Sequence, residues 1–293
     1  MKVFVTGAGG QLGYDVMREL MKRGHDALGS GRRETSEFEN YVRADITDSD
    51  EIKKAIYGFG PDAVIHAAGW TDVDGAEDES SRDTVMKTNA YATAEISAAC
   101  RTLGCKMLYV STDYVFDGSG DMPWRTDGIP APLNFYGLSK LEGEKAVVGT
   151  LEKYFIVRTS WVFGRNGRNF VRTMLSLADG GLDRVRVVDD RIGSPTSSSD
   201  LAVLLADMIE SEKYGIYHAS NGGGYISWAD LAEAVFGLSG KNVGVVRVSS
   251  DEYGIGRARR PLNSRLDCSK LAENGFAPLP DWKDALRRYL RNE

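Results

Sequence analysis

Tyr136 and Lys140 stand four residues apart in Tyr136-Gly137-Leu138-Ser139-Lys140, a spacing that puts both side chains on one face of a helix. A free phenol ionises near pH 10 and is a poor acid–base at neutral pH. A neighbouring ammonium favours the phenolate and brings proton transfer within reach. Tyrosine and lysine are common surface residues, so the pair gains meaning only from its company. That company is Thr112, in Val110-Ser111-Thr112-Asp113-Tyr114-Val115-Phe116-Asp117-Gly118, at the end of an apolar run that reads as a strand. Ligands of open α/β sheets bind beyond such strand ends, and a hydroxyl there can hydrogen-bond a carbonyl oxygen that Tyr136 protonates.

A second chemical signal sits at the start of the chain. Gly7, Gly10 and Gly13 form a G-x-x-G-x-x-G turn between the short apolar run Val3-Phe4-Val5 and a helical pattern from Leu12 to Arg23. Thirty-three glycines make spaced triplets common, and a purely structural turn is the alternative reading. The place between strand and helix is the context in which glycines let a backbone approach a pyrophosphate and a helix N-terminus face it. The next strand end reads Gly29-Ser30-Gly31-Arg32-Arg33, without a carboxylate. An acidic residue there suits the ribose 2′-hydroxyl of NAD, whereas arginine suits the 2′-phosphate of NADP. Ser30, Arg32 and Arg33 therefore favour NADPH over NADH, with two solvated loop arginines as the alternative.

Positioning these groups needs a sheet. Strand-like runs at 3–5, 63–65, 107–110 and 155–157 alternate with helical spacing at 12–23, 52–57, 82–104 and 139–148, and a short apolar piece falls at 27–28. That alternation predicts an α/β fold with a doubly wound parallel sheet (Rossmann). After about residue 161 the rhythm loosens: helices are expected at 169–178, 200–210 (capped by Ser199 or Asp200), from Ser227 onward and at 281–290, with strands at 185–188, 215–218 and 243–248. The expected organisation is a dinucleotide-binding domain at 1–161 with a return segment at 190–214. A smaller α/β substrate lobe would come from 162–189 and 215–293, with the site between the two.

Composition narrows the class. The 293 residues are 42% hydrophobic and 27% charged, ordinary for a globular chain. Lys and Arg number 36 against 42 Asp and Glu, a net charge of −6, which disfavours general binding to nucleic acid or an anionic membrane surface. Cys100, Cys105 and Cys268 form no C-x-x-C pair, and His25, His66 and His218 lie far apart, so no metal is expected. Neither a signal peptide nor an apolar stretch of membrane-spanning length is seen, and the expected compartment is the cytoplasm.

Taken together, the glycine turn, the strand-end hydroxyl and the Tyr136–Lys140 pair resemble an extended short-chain dehydrogenase/reductase. Finer segments are similar to the dTDP-4-dehydrorhamnose reductase family: Gly10-Gln11-Leu12-Gly13, Asp45-Ile46-Thr47, Thr71 through Glu77, Ser111 through Gly118, Arg158 through Val162 and Asn169-Phe170-Val171. Gly193 through Thr196, Ser227-Trp228 and Arg260 through Ser264 carry the likeness into the second lobe. It implies reduction of the C4 ketone of dTDP-4-dehydro-β-L-rhamnose with NAD(P)H. Thr112 would be the catalytic hydroxyl, Tyr136 the proton donor, and Lys140 the residue that tunes Tyr136 and holds the nicotinamide ribose. Gly10, Gln11 and Leu12 would cradle the pyrophosphate, Asp45 and Ile46 would meet the adenine, and Ala67, Ala68 and Gly69 would line the cofactor. Asp113, Trp161, Asn169 and Arg260 would contact a nucleotide-sugar substrate. Arg260 would grip its diphosphate, and Trp161, Trp228 and Trp282 are also packing candidates.

The likeness has departures. Residues 30–45 are longer than the family pattern, Trp70 stands where histidine or tyrosine is expected, and Asp190-Arg191 replaces Asp-Gln. Asp15 matches an acidic residue that some members use for magnesium at a homodimer contact; a solvated helix carboxylate is its plainer reading. Two alternatives stay open: another nucleotide-sugar epimerase or dehydratase, and a non-catalytic NADP-binding regulatory subunit.

Overall fold

The computed structural model describes residues 1–33, 37–254 and 256–291. Seven strands form the central sheet: β1 (Lys2–Thr6), β2 (Asp26–Gly31), β3 (Tyr41–Arg43), β4 (Ala63–His66), β5 (Lys106–Thr112), β6 (Tyr154–Thr159) and β7 (Gly215–His218). Their order is β7-β6-β5-β4-β1-β2-β3, and every pairing is parallel. The chain winds outward from β1 in both directions, as the doubly wound expectation requires.

Strand residues alternate between two cores, and both are apolar. Val3, Val5, Ala63, Ile65, Leu108, Phe155 and Val157 face one side, with α1 (Gln11–Lys22) and α7 (Ser198–Ile209) packed over them. Phe4, Val64, Met107, Tyr109 and Ile156 face the other, covered by α2 (Ser49–Phe59), α4 (Ala92–Leu103) and α5 (Phe135–Thr150). A sheet buried on both faces gives continuous apolar runs, which is why its strands stand out in the sequence.

A further core gathers around α6 (Phe170–Asp179) and α8 (Trp228–Ser239), with the parallel pair Arg184–Val188 and Gly244–Val248 and the last helix, Trp282–Leu290. Trp282 is fully buried there. The segment 215–218, expected in the substrate lobe, is instead the β7 edge of the main sheet. Tyr217 fills one face and Ile216 packs on the other, so both sides of the strand already have cover.

Three helices differ from expectation. The predicted helix at 82–104 runs from α3 (Glu79–Met86) into α4 through a π-helical turn at Lys87–Tyr91. Helix α5 begins four residues earlier than expected, because Asn134 caps it: its Oδ1 accepts from the Gly137 N–H at 2.8 Å. Helix α7 is capped by Ser197, not by Ser199 or Asp200.

Candidate active site

The carboxyl ends of β1, β4 and β5 bring the predicted residues together. Thr112 closes β5, and its hydroxyl donates to Asp113 Oδ1 at 3.1 Å while accepting from the Tyr114 N–H at 3.2 Å. Tyr136 lies in the first turn of α5. Its phenol is pushed well above the ordinary tyrosine value by burial, which the Thr112 hydroxyl partly offsets, while Asp113 and Tyr114 add to the rise. The ring meets Tyr114 edge-on at 5.8 Å. The phenol is therefore protonated at neutral pH and carries a proton to give, although burial makes it a weaker acid than free tyrosine.

Lys140 is buried one turn further along α5. Its Nζ donates to the Val110 carbonyl at 2.7 Å and sits 4.0 Å from the centroid of the Tyr109 ring. Burial lowers this ammonium to about 7, and Glu144 opposes the fall. Burial is the largest influence on both groups. Asp113 is likewise raised to about 7 by burial, against favourable bonds from Ser264 and Thr112, and among the described residues its buried Oδ2 has no hydrogen-bond partner.

The glycine turn has the shape of a phosphate cradle. Gly7 has φ +72°, and a Cβ there would lie 2.8 Å from the backbone of Ala68. A Cβ on Gly13 would strike the Gly7 carbonyl oxygen, whereas one on Gly9 would meet nothing within 4 Å. Helix α1 starts without a side-chain cap at Gly10 and carries no acid in its first turn, so its leading N–H groups suit an anion. These residues fit a dinucleotide. Gly69 lies beside Lys140: a Cβ built on it would come within 3.8 Å of Nζ.

His66 fastens the neighbouring loop. Thr93 donates its hydroxyl proton to the Asn89 carbonyl, so it accepts from His66 Nε2 at 3.1 Å. His66 Nδ1 therefore accepts from Thr6 at 2.7 Å, and Thr6 accepts from the Ala68 N–H at 3.2 Å. Asn89, placed by the π-helical turn, completes the bracing. Its Oδ1 accepts from the Trp70 N–H at 2.7 Å, and its Nδ2 donates to Trp70 O at 3.1 Å and Ser139 Oγ at 2.9 Å. Sequence reasoning missed Asn89; an asparagine inside an otherwise helical run was the available signal.

Burial lowers His66 to about 3, and it also lowers His218 to about 3 with help from Arg158. In the unfolded chain both histidines protonate near pH 6.5. Their contribution is present above that value and is lost as pH falls toward 3. Asp113 works the other way between 3.8 and about 7, gaining stability as pH falls. Two losses against one gain leave a net loss of stability as pH falls below 6.5. Urea unfolding should thus show stability lower at pH 5 than at pH 6.5, by on the order of 1–2 kcal/mol. A His66→Gln/His218→Gln variant should reverse the dependence and gain stability as pH falls from 6.5 to 5, since only the Asp113 contribution remains, and an unchanged midpoint for the parent chain would contradict the assignment.

Other predicted positions are spread more widely. Ser30 is buried and donates to Val5 O at 3.4 Å, so its hydroxyl turns into the sheet. Arg32 and Arg33 are exposed beyond β2, near Glu34, Thr35 and Ser36, which lie outside the described residues. Asp45 Oδ1 accepts from the Thr47 N–H and hydroxyl, and Ile46 is buried. Gln11 donates to Val162 O at 3.0 Å and accepts from Asn169 Nδ2 at 2.9 Å. Asn169 is also the N-cap of α6, so its side chain holds the segment 162–169 against the glycine turn. Trp161, with φ 49°, stacks on Trp228 at 3.9 Å. Asp15 accepts from Ser198 Oγ between α1 and α7; it is partly buried, not solvated, and burial raises it. Among the described residues no group of three or more His, Cys, Asp or Glu could hold a metal ion.

Arg260 pairs with Asp74, giving Nη1 to Oδ1 at 3.1 Å and Nη2 to Oδ2. Asp74 Oδ1 also accepts the Arg257 and Ala258 N–H groups at 2.9 and 3.0 Å. The Thr71–Glu77 segment is thereby tied to the basic run, a pairing that separation in sequence concealed.

A family model described as the RmlD substrate binding domain matches residues 1–293. The chain is 38% identical over 291 residues to the spore coat polysaccharide biosynthesis protein SpsK of Bacillus subtilis (strain 168), covering 99% of this chain and 97% of that one. It is 38% identical over 288 residues to a dTDP-4-dehydrorhamnose reductase of Streptomyces griseus, covering 96% and 90%. Among solved structures, the dTDP-4-dehydrorhamnose reductase of Bacillus anthracis str. Ames in complex with NADP superposes with a TM-score of 0.92 at 37% identity, over 100% of this chain and 99% of that one.

Proposed function

Because this chain belongs to the RmlD substrate binding domain family, we propose that its Thr112, Tyr136 and Lys140 carry out the C4 reduction of dTDP-4-dehydro-β-L-rhamnose to dTDP-L-rhamnose. The chain is an NAD(P)H-dependent oxidoreductase of nucleotide-sugar metabolism. The observation that carries the residue assignment is the buried Tyr136 phenol, flanked by the Thr112 hydroxyl at a sheet's carboxyl edge.

When bound, the reduced nicotinamide supplies the hydride for C4. Tyr136 gives its proton to the C4 oxygen, so the ketone gains one hydride and one proton and leaves as an alcohol. Thr112 hydrogen-bonds that oxygen and fixes its distance from the phenol. Lys140 stands beside Gly69, where a ribose would pass, and Gly7, Gly10 and Gly13 with the N-terminus of α1 hold the pyrophosphate. Asp113, adjacent to Thr112, would accept from a sugar hydroxyl. Asn169 and Trp161 act on the substrate indirectly, through the packing of segment 161–169. The core around α6 and α8 supports a substrate lobe formed by residues after β6 and after β7.

Among the described residues no helix is long and apolar enough to cross a membrane. Free thiols at Cys100, Cys105 and Cys268 suit a reducing compartment, the cytoplasm.

The direct test is nicotinamide absorbance with the 4-keto sugar nucleotide as oxidant. Sugar-dependent oxidation is expected, and its absence despite bound NADPH would refute the reading. In the same assay Arg32→Ala/Arg33→Ala should weaken NADPH about tenfold or more and leave NADH nearly unchanged, since a charged hydrogen bond to phosphate is lost only with the first. Equal loss for both cofactors would show that these arginines do not read the 2′-phosphate.

A further inference from the structure

The arginines of the basic run 257–260 and Arg191 differ in how far their charge is already answered. Arg257 pairs with Asp78, and Arg260 with Asp74. Arg191 comes to the same place from another segment. It precedes the short strand Ile192–Gly193, which pairs in parallel with Asn263–Ser264, and the Ile192 N–H donates to Leu262 O at 2.8 Å. Arg191 and Arg260 therefore enter side by side, and the charges of both act on the Tyr114 phenol. That phenol's ring is the one that meets Tyr136 edge-on.

The carboxylates around Arg191 are committed elsewhere. Asp189 Oδ1 accepts from Ser227 Oγ at 2.6 Å and Arg247 Nη1 at 2.7 Å. Asp190 accepts from the Ser250 N–H and hydroxyl, both at 2.7 Å. Asp74 is filled by Arg260 and two backbone N–H groups. Arg191 Nε is buried and has no hydrogen-bond partner among the described residues. A half-buried guanidinium with an unmet N–H, next to a second guanidinium, is costly without an anion. Its planar fork fits phosphate oxygens.

We propose that Arg191 is the residue that binds the diphosphate of the nucleotide-sugar substrate, with Arg260, anchored on Asp74, as its neighbour and not the principal phosphate ligand. The identity of the ligand rests on the reductase reading. The assignment of the phosphate-binding residue rests on the charge pairing described above.

Titration calorimetry of the full chain with dTDP, with thymidine and with NADPH tests this, using Arg191→Gln and Arg191→Lys. Arg191→Gln should lose about tenfold or more in dTDP affinity, with thymidine and NADPH binding unchanged. Arg191→Lys should recover part of the loss, since it restores charge but not the fork. With the sugar nucleotide, Arg191→Gln should raise KM and leave kcat nearly intact. Undiminished dTDP affinity in Arg191→Gln would overturn the proposal, as would a wild-type chain that binds no dTDP. Joint loss of dTDP and NADPH binding, unrescued by lysine, would mark a folding role and also overturn it. Arg191-dependent dTDP binding without any turnover of the 4-keto sugar would refute the reductase reading alone.

Discussion

Replacing Tyr136 with phenylalanine should lower turnover by about 10²- to 10⁴-fold, the range for loss of a positioned general acid. The substitution keeps the ring that meets Tyr114 edge-on and removes only the oxygen beside Thr112. NADPH affinity and the fold should therefore survive. Because the phenol is protonated across the neutral range, the residual activity of the variant should depend on the proton concentration of the solvent more steeply than that of the parent. Single-turnover measurement of nicotinamide oxidation separates this from slow product release. A variant within about fivefold of the parent rate would mean that the proton reaches the oxygen from another group, with Asp113 the nearest alternative.

The second large effect concerns stability. Glu144, one turn beyond Lys140 on α5, accepts from Arg158 Nε at 2.9 Å, Arg158 Nη2 at 2.7 Å and Ser111 Oγ at 2.6 Å. Both side chains of the ion pair are almost completely buried. Removing one charge strands the other in low dielectric, a cost of about 3–5 kcal/mol. Glu144→Gln should accordingly lower the midpoint of thermal unfolding by about 10 °C. It should also disfavour the charged form of Lys140, since Glu144 is the group that opposes its fall. Combining Glu144→Gln with Arg158→Met should restore much of the loss, because a neutral pair leaves no stranded cation. A double variant as unstable as the sum of the singles would show that the two residues act independently.

Much of this was readable beforehand, for a specific reason. The main strands carry apolar residues on both faces because helices cover both faces, and such runs survive any local ambiguity. The glycine turn and the Tyr136–Lys140 spacing were visible because backbone approach and helical periodicity are local properties. What stayed hidden was relational. The strand Tyr41–Arg43 is short, with only half-buried or exposed side chains, so no apolar run marks it. Asn169, expected as a substrate contact, also has a structural role that its sequence position does not show: its Oδ1 caps α6 and its Nδ2 binds Gln11 and Gly164. Arg260, expected to grip the substrate diphosphate, pairs with Asp74, which lies far away in the chain. The burial that shifts Tyr136 and Lys140 most is likewise not written in a four-residue spacing.

The pairing of β6 with β7 also bears on how the chain is made. About 55 residues separate the two strands, which at roughly 5–20 residues per second corresponds to about 3–11 s of synthesis. Throughout that interval β6 is an open edge, and the face that receives Leu201, Leu204 and Leu205 of α7 is uncovered. A nascent chain stalled before residue 198 would carry both an unpaired strand and an exposed apolar face, and it would be a client for chaperones. The late arrival of α7 and β7 makes the nucleotide-binding half dependent on residues translated well after the motifs that define it.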